Sequence, residues 1–298
     1  MSEAVIQALP LAVNDAARLA SRLGIAMHEI ALHRFPDGEL RVTVGAAPAT
    51  AIIYAPLDQP NDKLLAVLFA AEALRRQGAR RLVLVAPYLC YMRQDAVFHP
   101  GEAISQKVVG RLLAGAMDRV ITVGAHLHRT KNIEDVFPGI EADDLSAMPA
   151  IANALHAGGL SGDTLVVGPD EESGPWVGDL AGRLGLKYAV ARKTRRGDRS
   201  VEIAFADPAL FRGRPALLVD DIVSSGSTLI ACAKALVVAG AIEVDAVITH
   251  ALFPPQMTQA FLSAGLRSIR STSSVPHPTN AIALDDVLAD SLRMEICA

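Results

Sequence analysis

The chain has 298 residues, enough for one large or two medium domains, and half of them are hydrophobic while only 4% are aromatic. A net charge of −4 excludes a general nucleic-acid or membrane-surface binder, so any recognition of phosphate has to be local, built from a few Arg and Lys around a pocket. Three widely separated cysteines, Cys90, Cys232 and Cys297, have no metal-type spacing and are expected to be reduced thiols. No apolar run approaches the roughly 20 residues that span a bilayer, and the first residues lack a basic segment followed by an apolar one, so the expectation is a cytoplasmic protein.

Short apolar runs at 51–55, 82–86, 120–123, 165–167, 188–191, 216–219 and 246–249 predict strands. Helical periodicity at 14–23, 62–77, 103–116, 175–184 and 228–239 places helices between them, which is the rhythm of an α/β protein. Gly78-Ala79 and Gly240-Ala241 each follow a helix and precede a strand, an echo that suggests two similar halves. The divide falls in 141–162, with one helix and a glycine-rich end, giving domains 1–145 and 146–298.

Polar residues with chemical potential gather just past four of these strands. In open parallel sheets that edge binds ligands. In chain order, Arg34-Phe35-Pro36-Asp37-Gly38-Glu39-Leu40 comes first. It fits a hairpin turn, and it equally fits an aromatic ring for a flat base with Asp37 and Glu39 as acceptors. Arg93-Gln94-Asp95 follows the second strand, and Arg93 suits bidentate phosphate binding. His126 and Asp170 each stand past a strand and offer a partial metal site, although His126 alone is equally a satisfied loop histidine. The basic cluster Arg192-Lys193-Thr194-Arg195-Arg196-Gly197 reads either as a solvated loop or as a lid over an anionic substrate.

The richest segment is Leu217-Leu218-Val219-Asp220-Asp221-Ile222-Val223-Ser224-Ser225-Gly226-Ser227-Thr228. A buried strand gives way to two carboxylates and a hydroxyl-rich loop at a helix N-terminus. Free backbone N–H groups and the helix dipole favour a phosphate there. The carboxylates would repel it unless the ligand also carries sugar hydroxyls or Mg²⁺, so the segment reads as a sugar-phosphate site. A plain strand-to-helix turn with Ser227 as N-cap is the alternative.

From Phe35 to the final Val275-Pro276-His277-Pro278-Thr279-Asn280, these motifs resemble the ribose-phosphate pyrophosphokinases, in family order and closest to their archaeal-type branch. The resemblance implies two phosphoribosyltransferase-like domains, each a mainly parallel sheet flanked by helices. It implies transfer of the diphosphoryl group of MgATP to the anomeric hydroxyl of ribose 5-phosphate, with AMP released. Phe35, Asp37, Gly38, Glu39, Arg93 and Gln94 then match ATP contacts, and His126 and Asp170 match positions that hold Mg²⁺. Asp220 and Asp221 match the ribose-hydroxyl and metal positions, and Ser224, Ser225, Gly226, Ser227 and Thr228 would cradle the 5-phosphate. Lys193 and Arg195 match the Lys-x-Arg of a mobile catalytic loop. A homo-oligomer, dimer or hexamer, follows from the same resemblance. The departures are Ser225-Gly226-Ser227-Thr228 in place of Thr-Gly-Gly-Thr, Gly124 where an aspartate often precedes the histidine by two, and Glu171-Glu172 after Asp170. They bear on the acceptor sugar and the rate; Glu171-Glu172 keeps open a weakly active regulatory paralogue, and the Asp220–Thr228 loop keeps open a type I phosphoribosyltransferase that shares it.

Overall fold

The computed structural model describes residues 4–196 and 200–296, with the side chains of 193–202 outside that description. Gly197 and Cys297 therefore lie outside the described residues, as do the side chains of Lys193 and Arg195. The chain divides into two compact units: 1–146 with 274–276 and 284–298, and 147–273 with 277–283.

The first unit runs β1 (Ala4–Ala8), α1 (Val13–Leu23), β2 (Ala26–Glu29), β3 (Ala31–Arg34), β4 (Leu40–Thr43), β5 (Thr50–Tyr54), α2 (Pro60–Arg76), β6 (Arg81–Ala86), α3 (Ser105–Ala114), β7 (Arg119–Val123) and β8 (Glu141–Leu145). Six of these strands form a parallel sheet in the order β2-β1-β5-β6-β7-β8, and β3 pairs antiparallel with β4 as a separate ribbon. The interior strands are buried along their length, because helices on a parallel sheet cover both faces. Leu64, Val67, Ala70 and Leu74 of α2 and Val109 and Leu113 of α3 close the core over Ile53, Leu84 and Val120.

The second unit runs α4 (Met148–Ala157), β9 (Leu165–Gly168), α5 (Gly174–Leu184), β10 (Lys187–Val190), β11 (Arg192–Arg196), β12 (Ser200–Ala204), β13 (Pro215–Val223), α6 (Ser227–Val238), β14 (Glu243–Ala251), α7 (Met257–Ser263), β15 (Ser268–Thr272) and β16 (Asn280–Ile282). Its parallel sheet has the order β10-β9-β13-β14-β15-β16, and β11 and β12 form an antiparallel ribbon. The strand order repeats that of the first unit position for position, with the ribbon in the same place in the chain. The expected two-sheet α/β fold is present, and the echo between the halves is a repeat of topology.

The last helix, α8 (Asp285–Ile296), belongs to the first unit and packs on α1. Ion pairs hold it at both ends. Arg18 reaches Asp285 at 2.8 Å. Glu295, with only 3% of its side chain exposed, takes Arg81 at 2.5 and 2.7 Å and Arg119 at 2.9 Å. Among the described residues no helix is long and apolar enough to cross a membrane.

One expectation is corrected here. The apolar run at 216–219 is only part of β13, which continues to Val223 because β14 extends far enough to pair Asp220 with Ile248 and Ile222 with His250. Asp220 and Asp221 therefore sit on the strand's last turns of pleat, not in the following loop. Ser227 is likewise the first residue of α6 and Gly226 is its N-cap.

Candidate functional site

In each sheet the chain leaves its second strand in one direction and returns on the other side, and ligands of such sheets bind at that reversal, beyond the carboxyl ends. In the second unit the reversal lies between β9 and β13. Asp170 follows β9, and Asp220 and Asp221 lie in the last part of β13, so that the charges of Asp221 and Asp170 both act on Asp220. Burial pushes the Asp220 carboxyl well above the usual carboxylate range, and the negative charges of Asp221 and Asp170 push it further. Backbone N–H groups stabilise the pair: Asp221 N–H donates to Asp220 Oδ1 at 3.0 Å and Ile222 N–H to Asp221 Oδ1 at 2.7 Å.

The adjoining loop has features that suit an anion. Gly226 takes φ +72° as the N-cap of the twelve-residue α6, whose first N–H groups receive no cap from it. Ser224, Ser225 and Ser227 are exposed and Thr228 half-buried; Ser225 Oγ lies 3.1 Å from Ser227 Oγ. Behind the loop, a Cβ on Gly226 would stand 2.5 Å from the ring of Phe261. Phe261 is fully buried, edge-on to Phe253, which in turn meets His277. Sequence reading did not find Phe261, because nothing local marks a residue of α7 as the wall of a loop 35 positions earlier.

Glu171 and Glu172 occupy a short 3-10 turn capped by Asp170, and both face solvent while Ser173 is buried. Glu171 lies 3.8 Å from Arg192 at the root of the β11–β12 ribbon. Both extra acidic residues are therefore exposed, with Glu171 beside the root of that ribbon. That ribbon is further rooted by Ala191, fully buried, whose N–H reaches Gly168 O at the end of β9.

In the first unit, Phe35–Glu39 is the tip of the β3–β4 hairpin, closed by Phe35 N–H to Glu39 O at 2.8 Å. Gly38 takes φ +95°, and Asp37 Oδ1 accepts the Glu39 N–H at 3.1 Å. So the hairpin reading holds, and the exposed Phe35 ring remains available at its tip, with Arg41 6.0 Å from its centroid. Arg93 is exposed in the loop after β6. Gln94 donates to Ala96 O at 3.2 Å and Glu102 at 3.1 Å, shaping that loop. His126 follows β7, half-buried, its ring 4.3 Å from that of His128, and Asp144 of β8 anchors the preceding Ala125 N–H at 2.8 Å. The two proposed metal positions thus belong to different units.

Among the described residues no three His, Cys, Asp or Glu side chains form a closed metal cluster. The carboxylates of Asp170, Asp220 and Asp221 are oxygen donors of the kind that suits Mg²⁺, which keeps several waters and shares its shell with substrate phosphates. Cys90 and Cys232 are buried, neither in a disulfide, and burial pushes the Cys90 thiol up to about 12.

Comparison with known proteins agrees with the fold. The family model for the N-terminal domain of ribose phosphate pyrophosphokinase matches residues 11–116, and that for the phosphoribosyl transferase domain matches 147–259. The ribose-phosphate pyrophosphokinase of Methanopyrus kandleri is 31% identical over 93% of this chain and 94% of its own length. That of Brucella melitensis is 34% identical over 89% and 84%. The crystal structure of phosphoribosylpyrophosphate synthetase from Mycobacterium smegmatis superposes with a TM-score of 0.84 at 24% identity, covering 98% of both chains. With such identity over nearly its whole length, the chain belongs to the ribose-phosphate pyrophosphokinase family.

Proposed function

We propose that this chain transfers the β,γ-diphosphoryl group of MgATP to the anomeric hydroxyl of ribose 5-phosphate, giving phosphoribosyl pyrophosphate and AMP. The observation that carries this reading is that the charges of Asp170 and Asp221 both act on Asp220 beside an open, hydroxyl-rich helix N-terminus at the β9–β13 reversal. An acidic cluster beside an anion cradle suits a ligand with both hydroxyls and a phosphate. Ser224 to Thr228 hold the 5-phosphate, while Asp220 and Asp221 accept from the ribose hydroxyls. Phe35, Asp37, Gly38 and Glu39 receive the adenosine, and Arg93 and Gln94 complete the ATP site. The anomeric oxygen attacks the β-phosphorus, the bond to the bridging oxygen of the α-phosphate breaks, AMP departs and the hydroxyl proton passes to solvent. Mg²⁺ would neutralise phosphate charge, with His126 offering a ligand from the first unit and Asp170 and the aspartates of β13 offering ligands from the second. Lys193 and Arg195 stabilise charge on the group in transit.

Retention of Lys193, Arg195, His126, Asp170, Asp220 and Asp221 together favours an active enzyme over a weak regulatory paralogue. Exposed Leu65 and Phe69 on α2, and Val108 and Leu112 on α3, support a homo-oligomer, dimer or hexamer. Incubation of the pure protein with MgATP and ribose 5-phosphate should release AMP and phosphoribosyl pyrophosphate in equal amounts; absence of AMP would overturn the proposal. Other pentose 5-phosphates in the same assay test the serine-containing loop.

Gly226→Ala tests the cradle itself. The added methyl meets the Phe261 ring at 2.5 and 2.6 Å in a backbone conformation that disfavours any side chain. Together these cost about 2–4 kcal/mol, so the loop must shift. The KM for ribose 5-phosphate is expected to rise at least about tenfold with the KM for ATP unchanged. An equal rise in both, or in neither, would remove the loop from the acceptor site.

A further inference from the structure

Two loops of the first unit, one after β6 with Arg93 and Gln94 and one after β7 with His126, are tied together by residues that the proposed function leaves without a role. Asp95 is the centre of the tie. Its side chain is 1% exposed, and both carboxylate oxygens face the other loop: Oδ1 takes Arg129 Nη1 at 2.8 Å and Oδ2 takes the Arg129 backbone N–H at 3.0 Å. The Arg129 guanidinium, itself mostly exposed, lies 5.2 Å from the centroid of Phe98.

A second tie runs parallel to the first through Gln106, in the first turn of α3 and 3% exposed. Its backbone N–H holds Gln94 O at 3.2 Å and its side-chain amide reaches Met92 O at 3.4 Å. Its Oε1 accepts the Thr130 hydroxyl at 2.9 Å. The carbonyls on both sides of Arg93 are thus gripped by one residue that also holds the His126 loop. Just upstream, Tyr91 adopts φ +62°, a conformation unfavourable for a non-glycine residue, with its hydroxyl on Asn61 at 2.5 Å. A segment carried through a strained residue and pinned at three points beyond it has a defined backbone path.

We propose that Asp95 is a positioning residue: its pair with Arg129 fixes the Arg93 segment against the His126 loop, so that the phosphate contact and the metal contact to ATP are set together. A buried carboxylate that takes both a guanidinium and a backbone N–H from one neighbouring loop fixes that loop's orientation as well as its distance, which a surface ion pair does not. This inference rests on the assignment of Arg93 and His126 to ATP and its metal.

The test is a double-mutant cycle on the full chain, with steady-state kinetics at varied ATP and varied Mg²⁺. Asp95→Asn is expected to raise the KM for ATP about five- to tenfold, with the Mg²⁺ half-saturation rising in parallel, a smaller change in kcat, and the KM for ribose 5-phosphate unmoved. Arg129→Gln, at an exposed side chain, should act in the same direction with smaller size, because its backbone N–H stays; it serves also if Asp95→Asn folds poorly. In an Arg93→Ala background, Asp95→Asn should add less than twofold to the KM for ATP. If Arg93→Ala leaves that KM unchanged, the ATP-site assignment fails, and this inference with it. If Arg93→Ala raises it while Asp95→Asn and Arg129→Gln do not, or if the Asp95 effect adds in full, the positioning role alone is overturned.

Discussion

Lys193→Ala should lower the turnover of AMP release by about a thousandfold while changing ATP affinity less than about threefold. The transferred diphosphoryl group gains its extra charge stabilisation in transit, when the bond to AMP is breaking and the anomeric oxygen is arriving. A cation that meets the group mainly then lowers the barrier without tightening the ground state, and its removal shows in kcat. Comparable groups in phosphoryl-transfer enzymes are worth 10³–10⁵ in rate, so a thousandfold is a modest expectation.

The fold supplies a reason for such a division of labour. Lys193 and Arg195 lie on β11, opposite Ile203 and Val201 of β12, in a ribbon that, among the described residues, pairs with no strand of the main sheets. A two-stranded ribbon outside the main sheet takes its stability from what it packs on, here helix α6 through β12. Its root is fixed: Ala191 is buried and hydrogen-bonded to the end of β9, two residues before Asp170. A ribbon with an anchored base beside the acidic cluster suits residues that act only once both substrates are in place. Isothermal titration with ATP and single-turnover measurements on Lys193→Ala separate the two quantities. Equal losses in binding and turnover, or a kcat within tenfold of the parent, would refute the assignment.

How much of this was legible depends on where each element's information lies. β5, β6 and β9 are short apolar runs because they are buried on both faces, and they read directly from sequence. β8, Glu141–Leu145, reads as polar because it is an edge strand whose carboxylates face outward partners such as Arg81 and Arg119. The last part of β13 was hidden for a related reason: its aspartates look like loop, and only the length of β14 keeps the ladder going beneath them. The segments bearing polar residues past the strands were visible as motifs, since each is contiguous. What holds them was not, because Phe261 behind Gly226 and Arg129 opposite Asp95 are set by packing across the fold rather than by spacing along the chain.

Glu295→Ala should destabilise the first unit by about 3 kcal/mol, a larger effect than any exposed ion pair in the chain would give. Glu295 is nearly inaccessible and stands between the guanidinium groups of Arg81 and Arg119, at the base of β6 and β7. Burial alone would raise its carboxyl, but the hydrogen bonds and charges of the two arginines outweigh burial and hold it below its ordinary value. Removal leaves two arginines facing a space where a carboxylate was. Each keeps a second partner, Glu141 for Arg81 and Asp143 for Arg119, which places the loss near the lower end of the range for breaking a buried pair. Asp290→Asn, in a pair with Arg293 that is about 70% exposed on both sides, is the control and should change stability by less than about 0.5 kcal/mol. Because the folded carboxyl titrates below the unfolded one, near 4.3, its contribution is complete above that value and disappears as pH falls through the folded pKa. The gap between parent and Glu295→Ala in thermal midpoint should therefore be full at neutral pH, at about 2–4 °C for each kcal/mol, and narrow below about pH 4. A gap that stays constant to pH 3, or a midpoint at pH 7 within 2 °C of the parent, would show that α8 is held by its apolar face alone.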